Sequence, residues 1–238
     1  MRSACEAGAF AACAVSVAVG RVPRVGEVEH YFSAQPASAD ERRTISVRLA
    51  GHDARVETAG GVFSPDHVDH ATQILLDEAP PPPATGDLLD LGCGWGPIAL
   101  TLALLSPDAR VWAVDVNERA LDLVRRNAAA LGLANVRAVT PDEVPGDIAF
   151  AAIWSNPPIR VGKAALHELL LRWLPRLAPG AVAHLVVGKN LGADSLQRWL
   201  AEALAGPLPG VEIARAASAR GFRILAVAAG DDTAAGRG

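Results

Sequence analysis

The stretch Asp87-Leu-Leu-Asp-Leu-Gly-Cys-Gly-Trp-Gly-Pro-Ile-Ala-Leu100 decides the fold. It opens on a short apolar run, Asp87 to Leu91, with the length and composition of a strand buried on both faces. Gly92, Gly94 and Gly96 follow at alternate positions, and an apolar helix then runs to about Leu105. Glycines there let the main chain turn sharply and approach a ligand closely, while the next helix offers free N–H groups. A dinucleotide fingerprint wants G-x-G-x-x-G. Here Pro97 follows Gly96 and the spacing is G-x-G-x-G, which shifts weight to a ligand without a pyrophosphate.

Working outward, strands and helices alternate. Arg110 to Val114 reads as the next strand, and Asn117 caps a helix to about Leu131 that Gly132 closes. Val136–Val139 and Ile148–Trp154 read as strands, then Ala164–Leu177 as a helix stopped by Pro179-Gly180. Ala181–Val187 is a strand and Asp194–Leu204 a helix. Val211–Arg215 and Phe222–Ala228 have no helix between them, so they are expected to pair antiparallel. Upstream, Thr44–Leu49 and Ala54–Thr58 flank Gly51-His52-Asp53 as a small hairpin. Asp66–Glu78 reads as a helix with Ser64 as cap and Pro65 at its first position, ended by Ala79 and the prolines at 80–83. The expected fold is α/β, a doubly wound, mostly parallel seven-stranded sheet with an antiparallel last strand, plus the N-terminal hairpin. Residues 29–229 form its single expected domain, and residues 1–28 and 230–238 read as disordered tails.

Bulk properties narrow the function. The 238 residues suffice for one good core, and half of them are hydrophobic. A net charge of -4 argues against a broad basic surface for duplex DNA, though not against a local patch. Lys163 and Lys189 are the lysines of the chain; arginine carries the remaining positive charge. Cys5, Cys13 and Cys93 form no CxxC pair, so neither a disulfide framework nor a metal site is expected, and a reducing, cytoplasmic setting fits. The apolar run from Gly8 to Gly20 is too short to span a bilayer; a signal peptide is the alternative to a disordered extension. Oligomeric state stays open.

In a doubly wound sheet the ligand lies outside the carboxyl ends of the strands, where strand order reverses. Three further loops at such ends carry chemistry. Asp115 stands one strand beyond the glycine loop, where a carboxylate accepts both hydroxyls of a ribose; Asn117 already supplies the helix cap. After the third strand, Asp142 or Glu143 stands where an adenine amine would donate. The most specific loop is Ser155-Asn156-Pro157-Pro158-Ile159-Arg160. Its prolines fix torsions and remove donors, leaving the Asn156 oxygen and main-chain carbonyls as a stiff line of acceptors for an amino group.

With these residues in hand, the chain resembles class I S-adenosylmethionine-dependent methyltransferases. More narrowly, it resembles the methyltransferase small domain group, which includes small-subunit ribosomal RNA guanine-N2 methyltransferases. The resemblance rests on His30-Tyr31-Phe32-Ser33, on Gly60 to Ser64, on Asp90 to Gly96, on Asn156 to Arg160 and on Gly221-Phe222-Arg223. It implies S-adenosylmethionine as cofactor, with Gly92, Gly94 and Gly96 wrapping its methionine part and Asp90 near its amine. It further implies Asp115 on the ribose, Asp142 on the adenine and Phe63 shaping the pocket. Asn156, Pro157 and Pro158 would form the catalytic motif, with Asn156 and the Pro157 carbonyl binding the target amine. Ile159, Arg160 and Lys163 would face the substrate, the last two meeting phosphate. Relatives acting on bases often carry an aromatic ring where Ile159 stands, so an apolar wall replaces stacking here.

The implied activity is methyl transfer to an exocyclic guanine amine in RNA, with no metal and no general base. His167 and His184 read as helix and strand residues. Single-stranded or partly assembled RNA is the easier substrate, since a paired base must first be flipped out. The rival readings are a small-molecule or protein-amide N-methyltransferase, an adenine methyltransferase, and a non-catalytic RNA-binding module. A basic rim of Arg42, Arg43, Arg160 and Lys163 would favour RNA; a closed neutral pocket would favour a small molecule.

Overall fold

Fourteen strands and α-helices follow one another in a structure, a computed structural model, that describes residues 41–231. The leading tail, the His30–Ser33 segment and residues 232–238 lie outside the described residues. Strands β1 (Arg42–Leu49) and β2 (His52–Ala59) pair antiparallel across Ala50-Gly51, both at positive φ, 49° and 81°. Two left-handed residues make the primed turn whose twist suits a tight hairpin.

The main sheet has seven strands in the order β5-β4-β3-β6-β7-β9-β8. They are β3 (Asp87–Leu91), β4 (Arg110–Val114), β5 (Val136–Val139), β6 (Phe150–Ser155), β7 (Leu177–Gly188), β8 (Glu212–Ala219) and β9 (Phe222–Ala228). The first five pair in parallel, and β9 runs antiparallel to both β7 and β8, as the missing helix between the last two strands implied. Strand order reverses between β3 and β6, which sets their loops side by side.

Helices α1 (His70–Glu78), α2 (Pro97–Leu105), α3 (Glu118–Ala130), α4 (Lys163–Trp173) and α5 (Ala193–Ala203) cover the sheet. Alternation sends Leu89 to one face with Trp173 and Leu185, and Leu88 to the other with Ile98 and Val111. Each buried leucine contributes roughly 2 kcal/mol of hydrophobic stabilisation. The apolar character of α2 on every side has a plain cause. Ile98, Ala99 and Leu102 meet the sheet, while Leu100 joins Leu49, Val56 and Trp95 under the hairpin, so residues 97–103 are all buried.

Three element boundaries differ from the sequence expectation. Helix α1 begins at His70 with Asp69 as its cap, not at Ser64-Pro65, because tertiary bonds capture the earlier residues. The Ser64 carbonyl accepts from the Trp95 indole at 3.0 Å, and the Thr58 hydroxyl donates to the Pro65 carbonyl at 2.5 Å. Helix α4 stops at Trp173, a 3-10 turn containing Pro175 follows, and β7 already starts at Leu177, which pairs with Phe150. Pro179-Gly180 is therefore an irregularity within the strand and not a helix stop. Strand β8 runs on to Ala219 through an irregularity between Arg215 and Ala217.

Candidate active site

The glycine loop is fixed from below and from one side. The Gly92 and Cys93 N–H groups both donate to the Val114 carbonyl, at 2.8 and 3.1 Å, tying the loop to the end of β4. The Gly94 N–H donates to one Asp115 carboxylate oxygen at 3.0 Å, and the Asn117 N–H donates to the other at 2.9 Å. Asp90 is fully buried beneath the loop, where one oxygen accepts from the Ala99 N–H at 2.9 Å and the other has no partner. Burial, reinforced by the Asp115 charge and opposed by that N–H, pushes its pKa up to about 8. Burial also raises Asp115, against the pull of the N–H groups it accepts. Cys93 is a buried free thiol whose pKa burial drives well upward, so it stays neutral and is no nucleophile.

The glycines of this loop do different work. Gly92 and Gly94 have φ of 78° and 54°, and a Cβ on either would enter open space. Gly96, at φ 99°, is buried, and its Cβ would stand 3.0 Å from a Val124 methyl. Gly96 lets α2 approach α3; Gly92 and Gly94 leave room for a ligand.

A second loop roofs the cleft. The Gly60 carbonyl accepts from the Arg119 guanidinium at 2.6 Å and the Gly61 carbonyl from the Asn117 amide at 2.9 Å. Phe63, at the tip, is 48% exposed over the opening.

Asn156 stands at the end of β6. The Ser155 hydroxyl donates to the Leu91 carbonyl at 2.7 Å, locking that strand end to β3. The Asn156 amide nitrogen donates to an Asp69 carboxylate oxygen at 2.9 Å and to the Thr72 hydroxyl at 3.1 Å. A carboxylate only accepts, so its contact settles which end of the amide is NH2 and leaves the Asn156 oxygen as an acceptor. The same Asp69 oxygen accepts from the Ala71 and Thr72 N–H groups and thereby caps α1. Pro158, at φ -74° and ψ 71°, makes a tight turn in which the Ile159 N–H donates to the Pro157 carbonyl at 2.8 Å.

Between these loops opens a shallow cleft lined by Phe63, Asp69, Thr72, Gly92, Gly94 and Asn156, among others. Asp115 reaches it through its bond to Gly94. Asp90, Gly96, Pro157, Pro158, Ile159, Arg160 and Lys163 lie outside its lining. Asp142 is exposed and pairs with Arg172 at 2.7 Å, whereas Glu143 accepts from the Thr140 N–H and hydroxyl. His184 is buried beside Trp154 with its pKa lowered by burial, and His167 stacks on Trp199 at 3.4 Å; neither lines the cleft. No group of metal-binding side chains occurs among the described residues.

Sequence reasoning missed Asp69 and Thr72. An aspartate just ahead of an apolar-periodic run is a capping signal, which would have found Asp69 as a cap. Nothing local connects it to Asn156, 87 residues away.

Residues 53–225 match the family described as methyltransferase small domain. The chain belongs to that family. Protein YbxB of Bacillus subtilis, itself uncharacterised, is 37% identical over 177 residues, covering 73% of this chain and 88% of its own. The ribosomal RNA small subunit methyltransferase C of Serratia proteamaculans is 37% identical over 142 residues, covering 59% of this chain and 39% of its own. Among solved structures, the Thermus thermophilus 16S rRNA N2 G1207 methyltransferase in complex with AdoMet and guanosine superimposes with a TM-score of 0.65 at 25% identity. That match covers 82% of this chain and 52% of the Thermus chain, so this protein spans about half the length of that relative or less. This family member is an S-adenosylmethionine-dependent methyltransferase on the doubly wound fold. The cleft suits that cofactor: Gly92 and Gly94 leave space open where side chains would project, and the Asp69 carboxylate in its lining is complementary to a group that is cationic at sulfur.

Proposed function

We propose that this protein transfers a methyl group to an exocyclic amine, the substrate being guanine N2 in small-subunit ribosomal RNA. The observation that carries this reading is the locked Asn156 amide, whose oxygen accepts because Asp69 and Thr72 hold its nitrogen. The Serratia and Thermus relatives named for rRNA methylation support the substrate, and a cytoplasmic location goes with it. No described helix is long and apolar enough to cross a membrane.

In this reading Gly92 and Gly94 cradle the methionine part, Asp115 holds the ribose, and the exposed Val116 beside it walls the adenine. Val116 is 45% exposed, an apolar surface otherwise without purpose. Asp142 reaches the adenine amine by leaving Arg172, an exposed pair worth at most about 1 kcal/mol. Asp90 acts from beneath, bracing the first turn of α2. S-adenosylmethionine supplies a methyl group on a cationic sulfur, which leaves as a neutral thioether. The chain's part is orientation. An aniline-like amine is a weak nucleophile because its lone pair is delocalised into the ring. The Asn156 oxygen and the free lone pair of the Pro157 carbonyl accept its two hydrogens, favouring a pyramidal nitrogen with its lone pair aimed at the methyl. The surplus proton leaves to solvent after transfer.

Titration calorimetry with S-adenosylmethionine, followed by methyl transfer to rRNA fragments with mass-spectrometric location of the product, tests the reading. Asn156→Ala is expected to keep cofactor affinity and lose transfer by on the order of 100-fold or more. Full activity in that variant would remove the amine site, and a methyl group found on any atom other than guanine N2 would remove the substrate.

A further inference from the structure

The cations of the described residues divide into two populations. Most arginines are committed: Arg42 to Asp122 at 2.9 Å, Arg43 to Asp66 at 2.7 Å, Arg172 to Asp142, and both Arg215 and Arg223 to Asp194. Arg125 and Arg176 donate to main-chain carbonyls instead. The rim expected from Arg42 and Arg43 is thus neutralised on the hairpin side of the cleft.

A different set stands uncommitted. Arg160, Lys163, Lys189 and Arg220 are exposed, and among the described residues none forms an ion pair or a side-chain hydrogen bond. Among the described residues Arg55 on β2, Arg137 on β5 and Arg198 on α5 also form no ion pair or side-chain hydrogen bond, but each lies on another element, and Arg137 packs over the Trp112 ring. The four belong to one end of the sheet. Arg160 lies in the 3-10 turn after β6, and Lys163 opens α4. Lys189 follows β7, the neighbour of β6, and its N–H donates to the Gly221 carbonyl at 2.8 Å. That bond ties it to the β8–β9 turn, where Arg220 stands at φ 47°. Leu185 of β7 pairs with Ser155 and the strand continues to Gly188, which carries Lys189 out beside the turn that follows Asn156. The carboxylate closest to Lys189 in sequence, Asp194, is already shared by two arginines. Both lysines of the chain fall in this group.

We infer that Arg160, Lys163, Lys189 and Arg220 form a ledge that carries the phosphates of a single-stranded RNA past Asn156, so that the substrate enters over β6, β7 and β9 and not over the hairpin. The inference rests on the RNA reading above and adds to it a direction and two residues, Lys189 and Arg220. Strand ends about 4.8 Å apart put β6 and β9 roughly 10 Å apart, so the four cations can face successive phosphates of one strand. Leu191, 55% exposed just beyond Lys189, offers an apolar face to a neighbouring base. Partly exposed ion pairs would have to be broken for Arg42 and Arg43 to serve the same purpose, whereas the ledge exchanges only water and counterions for phosphate.

The experiment is fluorescence anisotropy of a labelled single-stranded rRNA fragment with the full chain, in saturating S-adenosylmethionine, across a salt series. The double variant Lys189→Ala/Arg220→Ala is expected to bind roughly tenfold more weakly, with a salt slope shallower by about 0.7 for each lost phosphate contact. Arg42→Ala/Arg43→Ala is expected to keep the wild-type slope. Calorimetric S-adenosylmethionine binding by each variant shows that it is folded. Wild-type binding with an unchanged slope in the Lys189/Arg220 variant, or a lost slope in the Arg42/Arg43 variant, overturns the ledge and leaves the RNA reading standing. No RNA binding by a wild type that binds S-adenosylmethionine overturns both. Equal wild-type affinity for phosphatidylserine vesicles would assign the ledge to a lipid surface and overturn it as an RNA path.

Discussion

The loop after β3 and the loop after β6 border the same cleft, and they are held in opposite ways. Gly92, Cys93 and Gly94 take their supports from the next strand of their own βαβ unit: the Val114 carbonyl and the Asp115 carboxylate, the latter 21 residues away. Asn156 takes its support from Asp69 and Thr72, 87 and 84 residues away on a helix outside its unit. The first loop assembles as soon as β3 and β4 pair, while the second acquires its orientation only when α1 docks. A ligand cradle can therefore form with local chain alone, but the group that aims the substrate depends on the whole domain being closed.

The largest expected effect tests what lies beneath the first loop, where the second has no counterpart. Asp90 has a folded-state pKa of about 8 against an ordinary 3.8, so the folded protein holds a proton that the unfolded chain has released. Its contribution to stability is complete below about pH 4 and is lost as pH rises through about 8. Asp90→Asn keeps an oxygen for the Ala99 N–H and abolishes the titration. Urea unfolding of cofactor-free protein from pH 4.5 to 8.5 is expected to show the variant gaining on the wild type by up to several kcal/mol. Parallel curves would mean that the carboxylate is solvated or paired in the folded state.

A smaller effect separates two glycines within the first loop. Gly96→Ala forces a left-handed φ on alanine and drives its Cβ against Val124, so a loss of about 2–4 kcal/mol is expected in thermal or urea unfolding. Gly92→Ala carries the backbone cost alone, about 1–2 kcal/mol, and its main effect is expected in calorimetry as weaker S-adenosylmethionine binding. If Gly92→Ala were the more destabilising and left binding intact, the division between packing and cradling glycines would be reversed.

The same contrast explains what could be read from the sequence. The glycine loop, Asp115 and the Asn117 cap were legible because each signal lies within a few residues of the element it serves. The order of the βα units and the antiparallel β9 followed from periodicity and from a missing helix. The start of α1 was not legible, because Pro65 at a first helical position is a good local signal that the Trp95 and Thr58 bonds override from elsewhere in the fold. The onset of β7 failed similarly, since Pro179-Gly180 reads as a stop and is tolerated where the pairing with β6 is already irregular. Asn156 was visible by residue type and place. Its orientation was not, because the residues that impose it carry an ordinary capping pattern and no mark of a partner 87 positions on.

That orientation can be isolated from the cap that shares its residue. Asp69→Ser retains a good N-cap for α1 but is too short to reach the Asn156 amide, so the melting temperature is expected to move by no more than about 2 °C. Thr72 then remains the sole partner of the amide nitrogen, and a hydroxyl both donates and accepts, so it no longer dictates which end of Asn156 faces the cleft. A fall in kcat of about tenfold is expected, the cost of populating the wrong amide orientation plus a looser aim. Asp69→Asn offers an oxygen in the same place and should restore most of that loss, though with a neutral and weaker bond. A purely structural role for Asp69 predicts the reverse pattern: kcat tracking the melting temperature in both variants, with serine harmless to each. Unchanged kcat in Asp69→Ser would show that Asn156 is oriented by its own loop after all, and the two loops would then be held alike.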